Sequence, residues 1–286
     1  MSESPRVTVA MSAFNAVRTI GAAVRSIQQQ TVRDFELVIA DDGSTDQTAG
    51  VLAGFADSRI HLLSDGSNLG KPSRMNQIIR GARAPLLAVM DADDIAYPER
   101  LERQIEFLDA HPEVDLVAAG MATFDEAGRL GLWRRLRTEH DRIARNPWLG
   151  FHFNSPTWMG RTAWFQRHLY TEGLRAAEDE DLLLRAYRTS RFAGLPEILL
   201  AYRIDQWSWS KARRMRGDHV RSLIRHLSER GEWRSILGIG MHGAKLAREG
   251  MAVATGMSGR LLQYRALPLP ADEEARLAGI LERVAE

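Results

Sequence analysis

The 286-residue chain contains no cysteine, which excludes disulfides, thiolate metal sites and a cysteine nucleophile. Lysine is nearly missing: Lys71, Lys211 and Lys245 stand alone against many arginines. No run of about eighteen apolar residues occurs, so nothing is expected to span a membrane. Met1-Ser2-Glu3-Ser4-Pro5 lacks a basic stretch leading into an apolar one, so no secretory signal is expected and a cytoplasmic location is the default. Neither sign of charge dominates, and a net charge of +1 gives no overall pull toward nucleic acid. No G-x-G-x-x-G follows a predicted strand and no Walker loop is complete, which disfavours dehydrogenases and P-loop enzymes.

A hydrophobic content of 44% with 26% charged residues is enough for a globular protein with a sizeable core. The length suits one large α/β domain or a domain with an appendage. Apolar patterning predicts strands over 6–14, 35–40, 59–63 and 85–90. They alternate with helices carrying Ile20 to Ile27, Val51 to Phe55, Met75 to Ala82 and Leu101 to Leu108. Ser44 and Gln47 form a predicted capping box for the second helix, and Pro72 sits in the first turn of the third. The alternation argues for a mostly parallel sheet with helices on both faces. Further on, 114–124, 154–161 and 197–202 read as strands, and 138–150 as a helix capped by Thr138. From about 206 only helices are expected, roughly 209–230, 232–256 and 271–285, which sets a soft boundary between 1–205 and 206–286.

The chain is organised around Pro85 to Met90, six apolar residues that break into Asp91-Ala92-Asp93-Asp94. This reads as a buried strand emptying into an acidic turn, where open α/β sheets bind their ligands. Three carboxylates so close repel unless a cation lies among them, and hard oxygen ligands suit Mg²⁺ or Mn²⁺; an acidic turn that merely caps the next helix is the plainer reading. Asp41-Asp42-Gly43-Ser44 is a second acidic strand end, able to accept hydrogen bonds from a nucleobase imide or a ribose hydroxyl, or else ordinary turn chemistry. Asn68 to Asn76 places Lys71 and Arg74 near a helix N-terminus, a natural phosphate site. Glu178-Asp179-Glu180-Asp181 exceeds what helix capping needs, and one of its acids could serve as a general base.

Taken in order, Ser12-Ala13-Phe14-Asn15, Asp41 to Asp46, Asn68-Leu69-Gly70 with Arg74 and Asn76, Asp91-Ala92-Asp93-Asp94 and Glu178-Asp179 resemble the inverting family 2 glycosyltransferases of the GT-A fold over about residues 5–205. The resemblance implies an α/β, GT-A-type domain. Its nucleotide-binding half would span about 1–95 and its acceptor and catalytic half 96–205. It implies that Ser12, Ala13, Phe14, Asn15 and Asp42 hold the base and ribose of a nucleotide-sugar. Asn68, Gly70, Lys71, Arg74 and Asn76 belong to the same donor site, with Arg74 approaching the base or diphosphate. Asp91-Ala92-Asp93 is the D-x-D element, with Asp93 or Asp94 on Mn²⁺ or Mg²⁺. Asp179 matches the catalytic base, with Glu178 beside it. The implied partners are a nucleotide-sugar donor, foremost a UDP-sugar, and a glycan, lipid-linked or small-molecule acceptor, with no nucleic acid. One departure is Ser155, where many relatives carry histidine before Pro156-Thr157.

Two readings of other classes compete. A sugar-1-phosphate nucleotidyltransferase would carry a glycine-rich N-terminal loop, yet Ser12 to Arg18 has no glycine. A non-catalytic nucleotide-sugar sensor has no need of Asp93 and Asp179. In the tail, Trp207, Trp209, Lys211, Arg213, Arg214 and Arg216 form an aromatic and basic cluster. Residues 236–258, rich in Gly, Met and Ala, suit helix packing or a homodimer, with peripheral contact on the inner membrane face as the alternative.

Overall fold

The computed structural model describes residues 4–133, 136–204, 208–255 and 266–285. In chain order the elements are β1 (Val7–Ala13), α1 (Ile20–Gln28), β2 (Phe35–Asp41), α2 (Thr48–Ala53), β3 (Ile60–Ser64), α3 (Lys71–Gly81), β4 (Leu86–Asp91), β5 (Ile95–Ala96), α4 (Arg100–Ala110) and β6 (Leu116–Phe124). Then follow β7 (Leu130–Trp133), α5 (His140–Ile143), β8 (Met159–Arg161), α6 (Thr162–Arg167), α7 (Glu178–Ala186), β9 (Phe192–Arg203), α8 (Trp209–Arg230), α9 (Ser235–Ala254), β10 (Ala266–Leu267) and α10 (Ala271–Ala285).

Among the described residues all ten strands join one sheet, whose main path runs β10-β7-β6-β8-β4-β1-β2-β3. The predicted parallel character holds for β4, β1, β2 and β3. Beyond β4 the sheet is mixed, because β8 pairs antiparallel with both β4 and β6, while β9 runs parallel to β6. Strands β1 and β4 are mostly apolar because both of their faces are covered, with Thr8, Ser12 and Asp91 as the polar exceptions. Leu87 and Val89 face one core with Trp158, Trp164 and Leu183, whereas Leu86, Ala88 and Met90 face the other with Val24 and Leu101.

The predicted capping box does not form. Ser44 Oγ donates to Asp41 and accepts from the Asn15 N–H, and Asp46 Oδ1 takes the Thr48 N–H at 2.9 Å at the start of α2. The predicted helix over 138–150 is only α5, with no side-chain cap from Thr138, followed by a 3₁₀ turn at Pro147–Leu149. Proline at 147 removes an amide donor and ends the run. Likewise only Met159–Arg161 of 154–161 is strand, since Ser155–Thr157 forms a 3₁₀ turn around Pro156.

The three C-terminal helices fall where the periodicity put them, but the expectation of helices alone fails at β10, a two-residue strand that pairs antiparallel with β7. The proposed boundary at 205/206, Trp207 and residues 256–258 lie outside the described residues. The helical segment is not a loose appendage. Leu223 of α8 is part of the core under α7, and Leu277, Ile280 and Val284 of α10 close a third cluster over Tyr97 and Phe124.

Candidate active site

Parallel register places Ser12 of β1 opposite Asp91 of β4, and Ala13 opposite Asp41 of β2. The three strands therefore end together, and their loops enclose a cavity of about 400 Å³. Its walls include Ser12, Phe14, Asn15, Asp42, Lys71, Asp91, Ala92 and Asp93 of the predicted set. Arg18, Glu126 and Arg203 join them. Phe14 presents a half-exposed ring to this space. Gly43 is required in the second turn: its φ is +72°, and a Cβ would stand 2.9 Å from the Ser67 backbone.

Other predicted residues build the cavity without lining it. Asp42 Oδ1 accepts from the Leu69 N–H at 2.7 Å and from Arg74 Nε at 3.1 Å, and the Gly70 N–H bonds the same carboxylate at 3.0 Å. Asn68 Nδ2 donates to the Asp42 carbonyl. Arg74, expected to approach the base or diphosphate, is instead buried. Its guanidinium is committed to Asp42, Asp65, Gln77 and the Ser67 carbonyl. Asn76 is also turned away from the cleft: it donates to the Tyr170 carbonyl at 2.9 Å and accepts from the Tyr170 N–H at 2.8 Å. Ala13, the last residue of β1, belongs to the core. Arg74 and Asn76 thus spend their buried polar groups on protein partners, and Ala13 has no polar side-chain group to offer a ligand.

The acidic turn is sharply differentiated. Asp91 and Asp93 are half-buried and reach the cavity; Asp94 is fully buried, and its Oδ1 accepts the Arg203 N–H at 2.9 Å. Asp94 Oδ2 is buried with no hydrogen-bond partner. Burial, then the Asp93 and Asp91 charges, hold its carboxyl well above the usual range. Arg203 Nε also caps the Asp93 carbonyl at 3.0 Å, with its guanidinium 4.4 Å over the Phe124 ring. Behind the turn, burial lowers the Arg100 guanidinium to about 10 against the pull of Asp94 and Asp91. Carboxylate oxygens of Asp91, Asp93 and Asp94 lie within 4.8 Å of one another. Crowded acids with an orphaned buried oxygen fit a hard divalent cation.

Helix α7 brings the third acidic cluster to the rim. Ala177 adopts the left-handed conformation, φ 58°, a costly turn for a residue with a Cβ, directly before Glu178. Lys71 Nζ lies 2.6 Å from Asp91 Oδ1 and 3.6 Å from Glu178 Oε1, joining the α7 terminus to the acidic turn. Burial disfavours the ammonium, but Asp91 and Glu178 outweigh it and raise Lys71 well above its ordinary value. Asp179 is pushed up to about 6 by burial and the Glu178 charge, against the Glu180 N–H bond and Lys71. Glu180 rises to about 8 through burial and Asp179. Asp181 serves the fold: buried, it accepts from Thr171 Oγ1 at 2.6 Å and from Arg185 Nε at 3.0 Å. Asp179 is outside the cavity lining, reached through Glu178 and Lys71.

Arg203 and Arg100 escaped sequence reasoning. A cation directly after the predicted strand 197–202 was the available signal for Arg203. Arg100, by contrast, is indistinguishable from any solvated helix arginine until the fold buries it.

A sheet whose parallel strands end in a carboxylate-lined cleft, with a mixed second half that sets a further acidic helix beside it, has the architecture of the GT-A fold. Known proteins agree. The family model described as Glycosyl transferase family 2 matches residues 8–169, more than half of the chain, and the chain belongs to that family. It is 34% identical over 134 residues to EpsE of Bacillus subtilis (strain 168), covering 46% of this chain and 48% of EpsE, so it spans about half of that relative's length. In structure it is similar to S. aureus TarS in complex with UDP-GlcNAc, with a TM-score of 0.60 at 19% identity over 77% of this chain and 66% of that one. The mannosyltransferase PcManGT of Pyrobaculum calidifontis, in complex with GDP-Man and Mn²⁺, gives a TM-score of 0.63 at 15% identity over 99% and 86%. Among the described residues no helix is long and apolar enough to cross a membrane.

Proposed function

We propose that this glycosyltransferase moves a sugar, with inversion, from a nucleotide-diphosphate sugar to an acceptor hydroxyl, assisted by Mn²⁺ or Mg²⁺. A UDP-sugar is the first choice of donor, and a glycan, a lipid-linked intermediate or a small molecule the acceptor. One observation carries this reading: Lys71, which lines the cavity beside the acidic turn, bonds Asp91 and lies 3.6 Å from Glu178 at the start of α7, just behind the lining. The complexes of TarS with UDP-GlcNAc and of PcManGT with GDP-Man and Mn²⁺ support the donor class and the cation.

In this reading residues 1–95 hold the nucleotide. Phe14 offers a ring face to the base, and Asn15 and the Asp42 carboxylate bound the base and ribose side. Asp93 and Asp94 would hold the cation, which would offset the charge growing on the leaving diphosphate. Asp179 takes the proton of the acceptor hydroxyl as that oxygen attacks the anomeric carbon. The bond from carbon to the diphosphate oxygen breaks on the opposite face. A single displacement of this kind inverts the centre. Glu178 keeps Lys71 in place and raises the basicity of Asp179 by like charge.

The test is a thermal-shift panel of UDP, GDP, dTDP and CDP with and without Mn²⁺, followed by hydrolysis of the matching nucleotide-sugar without acceptor. A cation-dependent shift with slow hydrolysis is expected. No shift with any nucleotide would remove the donor assignment. A shift without hydrolysis would mark a sensor, and turnover that requires pyrophosphate a nucleotidyltransferase.

A further inference from the structure

Helix α9 buries a mixed face and leaves an apolar stripe outside. Its buried face carries Ser235, Gly238, His242 and Glu249. Glu249 pairs with Arg216 of α8 at 2.7 Å, and the His242 ring stacks on His219 at 4.1 Å, so polar pairs share the seam between the two helices with Leu223 and Trp209 of α8, while Ile239 of α9 packs on the main core. A Cβ at Gly238 would stand 2.2 Å from the Trp148 carbonyl, which fixes this face inward. The outward face is apolar. Ile236 is 57% exposed, Leu237 55% and Met251 66%, and Gly240, Ala244 and Ala247 continue the stripe at helical spacing. Trp233, 61% exposed, stands just before the helix.

Charge surrounds this stripe. Residues 209–255 hold ten Lys or Arg against four Asp or Glu, a net +6 in a chain whose total is +1. Exposed Arg234 and Arg248 flank the stripe on α9, and Arg221 and Arg230 are exposed on α8. The Arg234 guanidinium lies 5.6 Å from the Trp233 ring and 5.3 Å from the Trp148 ring, pairing a cation with indoles as at a lipid headgroup boundary.

We propose that the outer face of α9 docks on an anionic phospholipid surface, with the Trp233, Ile236, Leu237 and Met251 side chains in the acyl boundary and the arginines on the headgroups. An apolar ridge with a cationic surround complements a negatively charged bilayer. A symmetric pairing of two copies through the same face would bring Arg234 and Arg248 of each copy against a second basic surface, which disfavours the second copy as occupant. The inference does not depend on the donor or the cation.

The experiment is flotation of the full chain with vesicles of mixed phosphatidylcholine and phosphatidylglycerol, and with phosphatidylcholine alone. The protein is expected to float with the mixed vesicles only, and less at high salt. Ile236→Glu with Leu237→Glu should lower the bound fraction at least about tenfold, and Arg234→Gln or Arg248→Gln about five-fold each. Met251→Glu, four turns further along, gives the same readout if the double variant folds poorly. Absence of flotation with the anionic vesicles, or flotation unchanged in these variants, overturns the proposal. So does a dimer in sedimentation that Ile236→Glu with Leu237→Glu dissociates, since the face then belongs to a second copy.

Discussion

Lys71 and Asp91 form an ion pair of 2.6 Å at the point where the end of β4 meets the start of α3. The same ammonium is 3.6 Å from Glu178, so one of the chain's three lysines joins the acidic turn to the helix that carries Asp179. Its charge occupies the field that a divalent cation on Asp91, Asp93 and Asp94 would also feel.

Replacing it therefore has two opposite consequences. Lys71→Met leaves the Asp91 and Glu178 carboxylates uncompensated, and the half-exposed pair is worth about 1 kcal/mol, or roughly 2–4 °C in Tm. Mn²⁺ should then raise the Tm of the variant by more than that of the wild type, because a competing cation has gone. Calorimetry with and without Mn²⁺ measures both, and an equal or smaller Mn²⁺ shift in the variant would refute the competition.

Asp179→Asn should lower transfer by about 10²–10⁴ while leaving the binding of the nucleotide, read by thermal shift, unchanged. With the Asp179 carboxyl raised to about 6, the base form is present only above that value. The rate constant kcat/KM should climb with pH through about 6 and level off above it. An acidic limb that persists unchanged in Asp179→Glu, or lies well below 5, would assign the base elsewhere.

The same group makes stability depend on pH. A carboxyl at about 6 in the folded protein, against 3.8 for the free group, binds its proton more tightly when folded. Its contribution is thus present below about pH 4 and lost as pH rises to 6. The Asp179→Asn variant should match the wild type near pH 4 and exceed it by about 3 kcal/mol at pH 7. Urea midpoints at the two pH values check the sign.

Arg74 is a positioning residue. Arg74→Met strands the buried Asp42 carboxylate and should cost about 3–5 kcal/mol in urea unfolding. The loosened Asp42 then raises KM for the donor more than it changes kcat. Loss of donor affinity with full stability would instead make Arg74 a ligand.

Much of this arrangement was legible in the chain. A strand covered on both faces writes itself as the uninterrupted apolar run 85–90, and the acids that follow mark its carboxyl end. The order of the acidic turns and the three terminal helices was equally readable, because burial and amphipathic period leave local signatures. Arg74 and Asn76 were misplaced for a different reason: their partners, Asp42 and Tyr170, are 32 and 94 residues away in sequence. Short turns at Pro147 and Pro156 also defeated a periodicity that needs longer windows to register.

By itself, then, the sequence determined which residues could do chemistry and in what order the strands deliver them, since hydrophobic pattern and turn composition act over a few neighbouring positions. Only the tertiary structure decided which polar groups stay free. It satisfied Arg74 inside the fold, raised Asp179 beside Glu178, set Lys71 between two acids and turned the apolar side of α9 outward. Those outcomes depend on partners brought together from distant parts of the chain, and desolvation and pairing are properties of that meeting.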